Sequence, residues 1–203
     1  MSPVKVLVLG NDPQINQIDF SRLQPNVVTL GVNRIWLKHI PNYFFFNDHT
    51  ILDELMLEPE KLEQLKQKST IFSSDWMTRG LRRKANYPVP SWVNISPRPD
   101  FMKFPDSVTT AMEIFSRKYF GGQRCFFYIA GVSLIWQEPS HFWKDLNYSG
   151  RNSFGEAWYS PRFKGIDKNF RTLKDKGYTM ISVNPNSILN KTMRYESIDN
   201  LYQ

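Results

Sequence analysis

The sequence holds little from which a covalent or metal-bound framework could be built: one cysteine and three histidines in 203 residues. A disulfide needs two thiols, and a structural zinc site with four Cys and His ligands would have to use every one of these side chains, so little is left to build either device. A chain of this length does not need them, because it can bury roughly 70% of its unfolded surface. Long hydrophobic runs are missing too; none approaches the ~20 residues of a membrane-spanning helix. Negative charge is in short supply, with 19 Asp and Glu against 26 Lys and Arg, a net +7. That imbalance favours anionic partners such as nucleotides, nucleic acid or an acidic membrane surface, without choosing among them. Three signatures are absent: the Gly-x-Gly-x-x-Gly dinucleotide fingerprint, the P-loop, and the Asp-x-Asp pair with which many sugar transferases hold a metal–diphosphate. Gly131-Val132-Ser133-Leu134-Ile135 lacks the final glycine of a hydrolase nucleophile elbow, so Ser133 is not read as a nucleophile.

What is present is a globular composition, 41% hydrophobic and 22% charged. The opening MSPVKVLVLGND carries no basic leader and enters a strand pattern at once, which reads as a soluble, cytoplasmic protein. Apolar runs ending in small polar residues recur along the chain. Val4 to Leu9 runs into Gly10-Asn11-Asp12-Pro13, and Val27 to Val32 into Asn33. Tyr43 to Phe46 runs into Asn47-Asp48-His49, and Arg124 to Ala130 into Gly131. Tyr178 to Val183 runs into Asn184-Pro185-Asn186-Ser187, and Ser69 to Ser73 reads as a further strand. Helices are expected over 15–23, over 51–68 with a break at Pro59, over 107–120 up to Gly121-Gly122, over 167–176, and after Ser187. Cys125 sits in an apolar run and reads as a buried core thiol.

Two stretches stand apart. Residues 74–105 carry Arg79, Arg82, Arg83, Lys84, Arg98 and Lys103 with five prolines, a basic irregular excursion. Residues 132–165, rich in Trp, Tyr, Pro, Ser and Gly, read as a long lid loop. No repeat, linker or second core is visible. The pattern predicts an α/β fold: one Rossmann-like domain spanning 1–203, with a mostly parallel sheet and helices on both faces. Ligands of such sheets bind beyond the carboxyl ends of the strands.

The residues at those ends carry the chemistry. Gly10 lets backbone approach a ligand closely, and Asn11 and Asp12 can bond ribose, base or phosphate, or simply cap a turn. Asn33 and Asn47 offer both donors and an acceptor, which suits a neutral base or sugar hydroxyls. Asp48 and His49 form the best-placed acid–base pair, with helix capping as the alternative role of Asp48. His141, in the lid, and Asp12 are further candidates for the base; His39, among Leu and Ile, reads as structural. Without Asp-x-Asp, Tyr159, Arg151, Arg162 and Lys164 from the lid are candidates to neutralise a leaving phosphate. No metal or other cofactor is expected.

Aligned on these strand ends, the chain resembles bacterial sialyltransferases of glycosyltransferase family 42. The segments that carry the resemblance are VLVLGNDPQINQIDFSRL, GVNRIW, YFFFND, SVTTAMEIF through CFFYIAGV, and TMISVNPNSIL, roughly half the chain in the family's order. The resemblance implies a metal-independent fold with a lid. It also implies donor contacts from Asn11, Asn33, Asn47, Thr109, Thr110 and the 185–187 turn with Asn186 and Ser187, beside which Gly10 and Gly131 are donor-binding candidates by their places at strand ends. The family's catalytic histidine would fall near Ser160-Pro161, where this chain has none. Ser-Gly is replaced by Thr109-Thr110, and an Asp by Ser133.

The leading expectation is therefore a transferase that moves a sugar from a nucleotide sugar to an acceptor hydroxyl. The basic excursion directs the acceptor towards DNA, namely a hydroxymethylated base of bacteriophage DNA gripped by Arg79, Arg82, Arg83 and Lys84. The alternatives are a sialyltransferase-like enzyme acting on a cell-surface glycan, and a catalytically inactive nucleotide- or DNA-binding module.

Overall fold

The structure is a computed structural model; it describes residues 2–78, 88–100, 106–121, 123–136, 141–142 and 156–203, and only the backbone of 157–159. Eight strands form one sheet: β1 Val4–Leu9, β2 Val27–Val32, β3 Tyr43–Phe45, β4 Thr70–Ser74, β5 Asn94–Ser96, β6 Cys125–Ala130, β7 Thr179–Ser182 and β8 Arg194–Tyr195. The order across it is β5-β4-β3-β2-β1-β6-β7-β8, and every pairing is parallel. The chain thus builds outward from β1 to β5, then crosses back to place β6 on the other side of β1. The carboxyl ends of β1 and β6 flank the point where that direction reverses, the place where open parallel sheets bind ligands.

Covering on both faces explains why the strands are apolar almost throughout rather than alternating. Leu7, Leu9, Phe44 and Phe46 point to one core, with Ile51, Leu52 and Leu55 of α1 (His49–Met56) and Leu62 and Leu65 of α2 (Pro59–Lys68). Val6, Val8, Phe45 and Phe127 point to the other, with Ile114 and Phe115 of α3 (Ser107–Tyr119) and Phe170 and Leu173 of α4 (Glu156–Asp175). Phe45 and its two Phe neighbours thus divide between the cores by the two-residue period of a strand. Cys125 is 6% exposed, and burial raises its thiol pKa, as an inert core thiol requires.

Four local expectations are corrected. The helix expected over 15–23 is two 3-10 turns, Pro13–Gln17 and Phe20–Arg22, because Asp12 and Asp19 each cap a separate turn. Residues 156–165, expected in the lid loop, are the first half of α4, where Pro161 and Gly165 hide the helical period. The basic excursion contains the edge strand β5. Past Ser187 the chain adds β8 between two 3-10 turns, Ile188–Lys191 and Ile198–Leu201.

Candidate functional site

In the parallel register Leu9 lies beside Gly31, and Val32 beside Phe45. Neighbouring strands stand about 4.8 Å apart, so the residues leaving β1, β2 and β3 emerge side by side at one edge. Asn11, Asn33 and Asn47 accordingly share the carboxyl edge of the sheet, as their sequence positions require.

The floor of this crevice is the contact of the β1 and β6 ends. Gly10 N donates to Ala130 O at 2.9 Å and Asp12 N to Gly131 O at 3.0 Å. A Cβ on Gly10 would stand 2.3 Å from Gly131 O, so only glycine lets the two backbones meet. Gly131 has φ +65°, and a Cβ there would strike the Ile15 side chain at 2.6 Å. Gln14, which the sequence does not single out, ties the ends together. Its Oε1 accepts from Gly131 N and its Nε2 donates to Val183 O, both at 2.9 Å.

Backbone strain collects at the same edge. Asn33 (φ 53°) and Leu134 (φ 57°) are the non-glycine residues with positive φ among those described. Asparagine tolerates this region; a branched leucine does so at a cost on the order of 1–3 kcal/mol. Each follows the end of a strand next to β1, Asn33 directly after β2 and Leu134 four residues past β6. The Asn33 turn is held from two sides. Arg34 makes a two-pronged ion pair with Glu54 of α1, Nε to Oε2 at 2.8 Å and Nη2 to Oε1 at 2.5 Å. Ser107 Oγ, at the start of α3, donates to Asn33 Oδ1 at 3.1 Å. The N-terminus of α3, with its positive end of the helix dipole, therefore faces the crevice.

The three asparagines are left with open polar groups. Asn33 Oδ1 is taken by Ser107 and Asn47 Oδ1 by the Ser74 hydroxyl, so each Nδ2 has no partner among the described residues. Asn11 Oδ1 is buried with no partner. A buried unsatisfied acceptor costs about 1–3 kcal/mol and persists where something else is meant to satisfy it. Asn11 O accepts from Phe142 N at 3.0 Å, and Asn16 Nδ2 donates to Phe142 O at 3.3 Å. Phe142 is fully buried, so residue 142 is docked on the β1 turn.

Among the acid–base candidates, Asp12 is heavily engaged. Its Oδ1 accepts from Gln14 N at 3.1 Å and its Oδ2 from Ser133 N at 3.2 Å. Asp48 caps α1, accepting from Thr50 N at 2.9 Å, and its side chain is 59% exposed. His49 Nδ1 lies 3.5 Å from Asp48 Oδ1, while its Nε2 is buried and unpartnered. His141 is half-buried beside Phe142. His39 stacks flat on Phe20, ring centroids 4.2 Å apart, and burial lowers its pKa to about 4, in keeping with a structural role.

The remaining candidates are distributed as follows. Thr109 and Thr110 are fully buried. Thr109 N and its hydroxyl both bond Asp106, which also accepts from Asn169 Nδ2 of α4 at 2.7 Å. Burial raises the pKa of Asp106 against these hydrogen bonds. Ser187 is spent on Val132 O at 2.8 Å and on capping the turn that follows, whereas Asn186 is exposed. Arg162 and Lys164 are exposed on α4. Arg151, the Tyr159 side chain, and Arg79, Arg82, Arg83 and Lys84 lie outside the described residues. Among the described residues no group of three His, Cys, Asp or Glu is placed to hold a metal, and no helix is long and apolar enough to cross a membrane. Sequence reasoning missed Gln14, Ser74, Asp106 and Ser107, each an ordinary polar residue until its distant partner is known.

The sequence matches no protein-family model and no curated protein. Solved structures do match. One is the sialyltransferase CstII from Campylobacter jejuni in complex with the substrate analogue CMP-3FNeuAc; it is 15% identical, with 98% of this chain and 88% of that one covered, at a TM-score of 0.55. The same enzyme with trisaccharide acceptor and CMP is similar at 16% identity, over 98% and 88% of the two chains, with a TM-score of 0.55. The monofunctional alpha-2,3-sialyltransferase Cst-I from Campylobacter jejuni is 13% identical over 99% and 82% of the chains, TM-score 0.54. At these identities the likeness is one of fold, and it extends over nearly the whole chain.

Proposed function

We propose that the chain is a glycosyltransferase that takes a sugar from a CMP-activated donor, of the sialic acid type, to a hydroxyl of a glycan acceptor. The observation that carries this reading is the unsatisfied Asn11 Oδ1, buried beside the β1/β6 reversal, with the open amides of Asn33 and Asn47 at the ends of the next two strands on the β2 side. These groups suit a nucleoside, whose base and ribose offer donors and acceptors in the same pattern. The fold likeness to sialyltransferases with CMP or a CMP-sugar bound supports the choice of nucleotide.

In the proposed reaction the anomeric carbon bonds to the acceptor oxygen as its bond to the CMP phosphate oxygen breaks. The acceptor proton passes to a base, and CMP leaves with the negative charge. We assign the base to the Asp48–His49 pair, whose Oδ1 and Nδ1 lie 3.5 Å apart. The α3 N-terminus, the cations Arg162 and Lys164 of α4, and Arg151 with the Tyr159 hydroxyl would stabilise the charge on the leaving phosphate. The sequence offers no Asp-x-Asp pair for a metal–diphosphate, and the scheme calls on none. The DNA acceptor drops from first place, because the neighbours that name an acceptor name a trisaccharide. Its own residues, Arg79 to Lys84, lie outside the described ones.

The test is a thermal-shift titration with CMP, followed by release of CMP from CMP-N-acetylneuraminic acid with a lactose acceptor. CMP raises Tm by mass action, Asn33→Ala weakens it about tenfold, and His49→Gln lowers turnover without changing CMP affinity. A panel of nucleotides in which none shifts Tm would sink the reading. Transfer to hydroxymethylated DNA but not to saccharides would reinstate the DNA acceptor.

A further inference from the structure

The opposite edge of the sheet holds a second concavity. Where β6, β7 and β8 begin, a cleft of about 710 Å³ opens, lined by Arg124, Phe126, Lys174, Tyr178, Asn190, Lys191 and Arg194 among others. Arg124, Phe126 and Thr179 place most of it at the amino ends of β6 and β7, away from the crevice, while Asn190 reaches back to the Asn184–Pro185 turn. Its volume is in the range that holds small-molecule ligands.

The charges are one-sided. Four cations line the cleft and no carboxylate does, among the described residues. Their local partners neutralise little of that charge. Lys174 donates to a carbonyl, Thr192 O, at 2.6 Å, and Arg124 lies over the Phe126 ring at 5.4 Å. Lys191 is exposed with no partner among the described residues, and only Arg194 meets a carboxylate, Glu196, at 2.6 Å. An anion is the complement of such a site.

A second observation narrows the class of anion. Asn190 spends its Nδ2 on Asn184 O at 3.1 Å and Pro185 O at 2.9 Å, which fixes the amide. Its Oδ1 is buried and without a partner. That oxygen requires a donor, and neither a carboxylate nor the dianion of a phosphate monoester has one. A hydroxyl does. We infer that the cleft binds an acidic saccharide, its anionic group among Lys191, Arg124 and Arg194 and one hydroxyl donating to Asn190 Oδ1.

Titration of the isotope-labelled full chain with sialyllactose, lactose and inorganic phosphate, followed by amide shifts, tests the inference. Sialyllactose should move the signals of Asn190, Lys191 and Arg194, with lactose and phosphate each at least about tenfold weaker. Lys191→Glu, at an exposed position, should cost sialyllactose about tenfold while leaving CMP-induced shifts unchanged. Saturating CMP should not displace the saccharide. Lactose or phosphate binding as tightly, Lys191→Glu binding normally, shifts that CMP abolishes, or no shifts at all would each overturn the site. The CMP arm reports separately on the nucleotide crevice, so failure of one proposal is told apart from failure of the other.

Discussion

Gly10 shows how little room the crevice floor has. With Gly131 O 2.3 Å from where its Cβ would stand, Gly10→Ala forces a backbone to move, since a carbonyl cannot rotate away as a side chain can. Overpacking of this kind costs about 1–3 kcal/mol. Gly10→Ala should therefore lower the urea midpoint by that amount and weaken CMP binding as well, because the displaced strand end carries Asn11. Normal stability and normal CMP affinity in this variant would show that the two strand ends are not in contact. Asn11, Asn33 and Asn47 were legible from sequence because each interrupts an apolar run where a buried strand must end. Asp48 and His49 were legible as strand-end residues for the same reason, and so was the capping role of Asp48. The use of Asp12 and Ser187 as tethers was not, since a carboxylate or hydroxyl at a turn looks the same whether it faces a ligand or a neighbouring N–H.

Helix α3 is joined to α4 through one buried carboxylate. Asp106 accepts from Thr109 N at 2.8 Å and from Asn169 Nδ2 at 2.7 Å, with the Thr109 hydroxyl completing the set. Asp106→Asn turns an accepting oxygen into a donor facing the Asn169 or Thr109 donors. It should cost about 1–3 kcal/mol in chemical denaturation. The paired exchange Asp106→Asn with Asn169→Asp restores donor against acceptor and should recover part of that loss, giving a non-zero coupling in a double-mutant cycle. Additive losses would mean that the two side chains do not meet. Because Ser107 follows Asp106 and holds Asn33, the single variant should also weaken CMP. The pairing of residues 63 positions apart is invisible in sequence; the helical period of 107–119 and its stop at Gly121 are not. The start of α4 was misread because Pro161 and Gly165 look like loop residues, yet packing of Phe170 and Leu173 on the sheet carries the helix past them.

The eight strands are unequal partners. β1, β2 and β6 sit at the centre with covered faces, while β5 and β8 are short edges of three and two residues. Amide hydrogen exchange should be slowest in β1, β2 and β6 and fastest in β5 and β8, with β3, β4 and β7 between. Rapid exchange in β1 would contradict its central place. Apolar runs ending in small polar residues were enough, with no coordinates, to yield an α/β sheet, six of its eight strands (all but β5 and β8), and the edge at which those strands end. Burial on both faces imposes that pattern on any sequence. Which strands are neighbours was decided only in three dimensions. One fully buried strand resembles another, so nothing local places β6 beside β1 rather than beyond β5. That choice of pairing brings Gly131 against Gly10, draws Gln14 to Val183 across 169 residues, and makes one crevice out of separate turns.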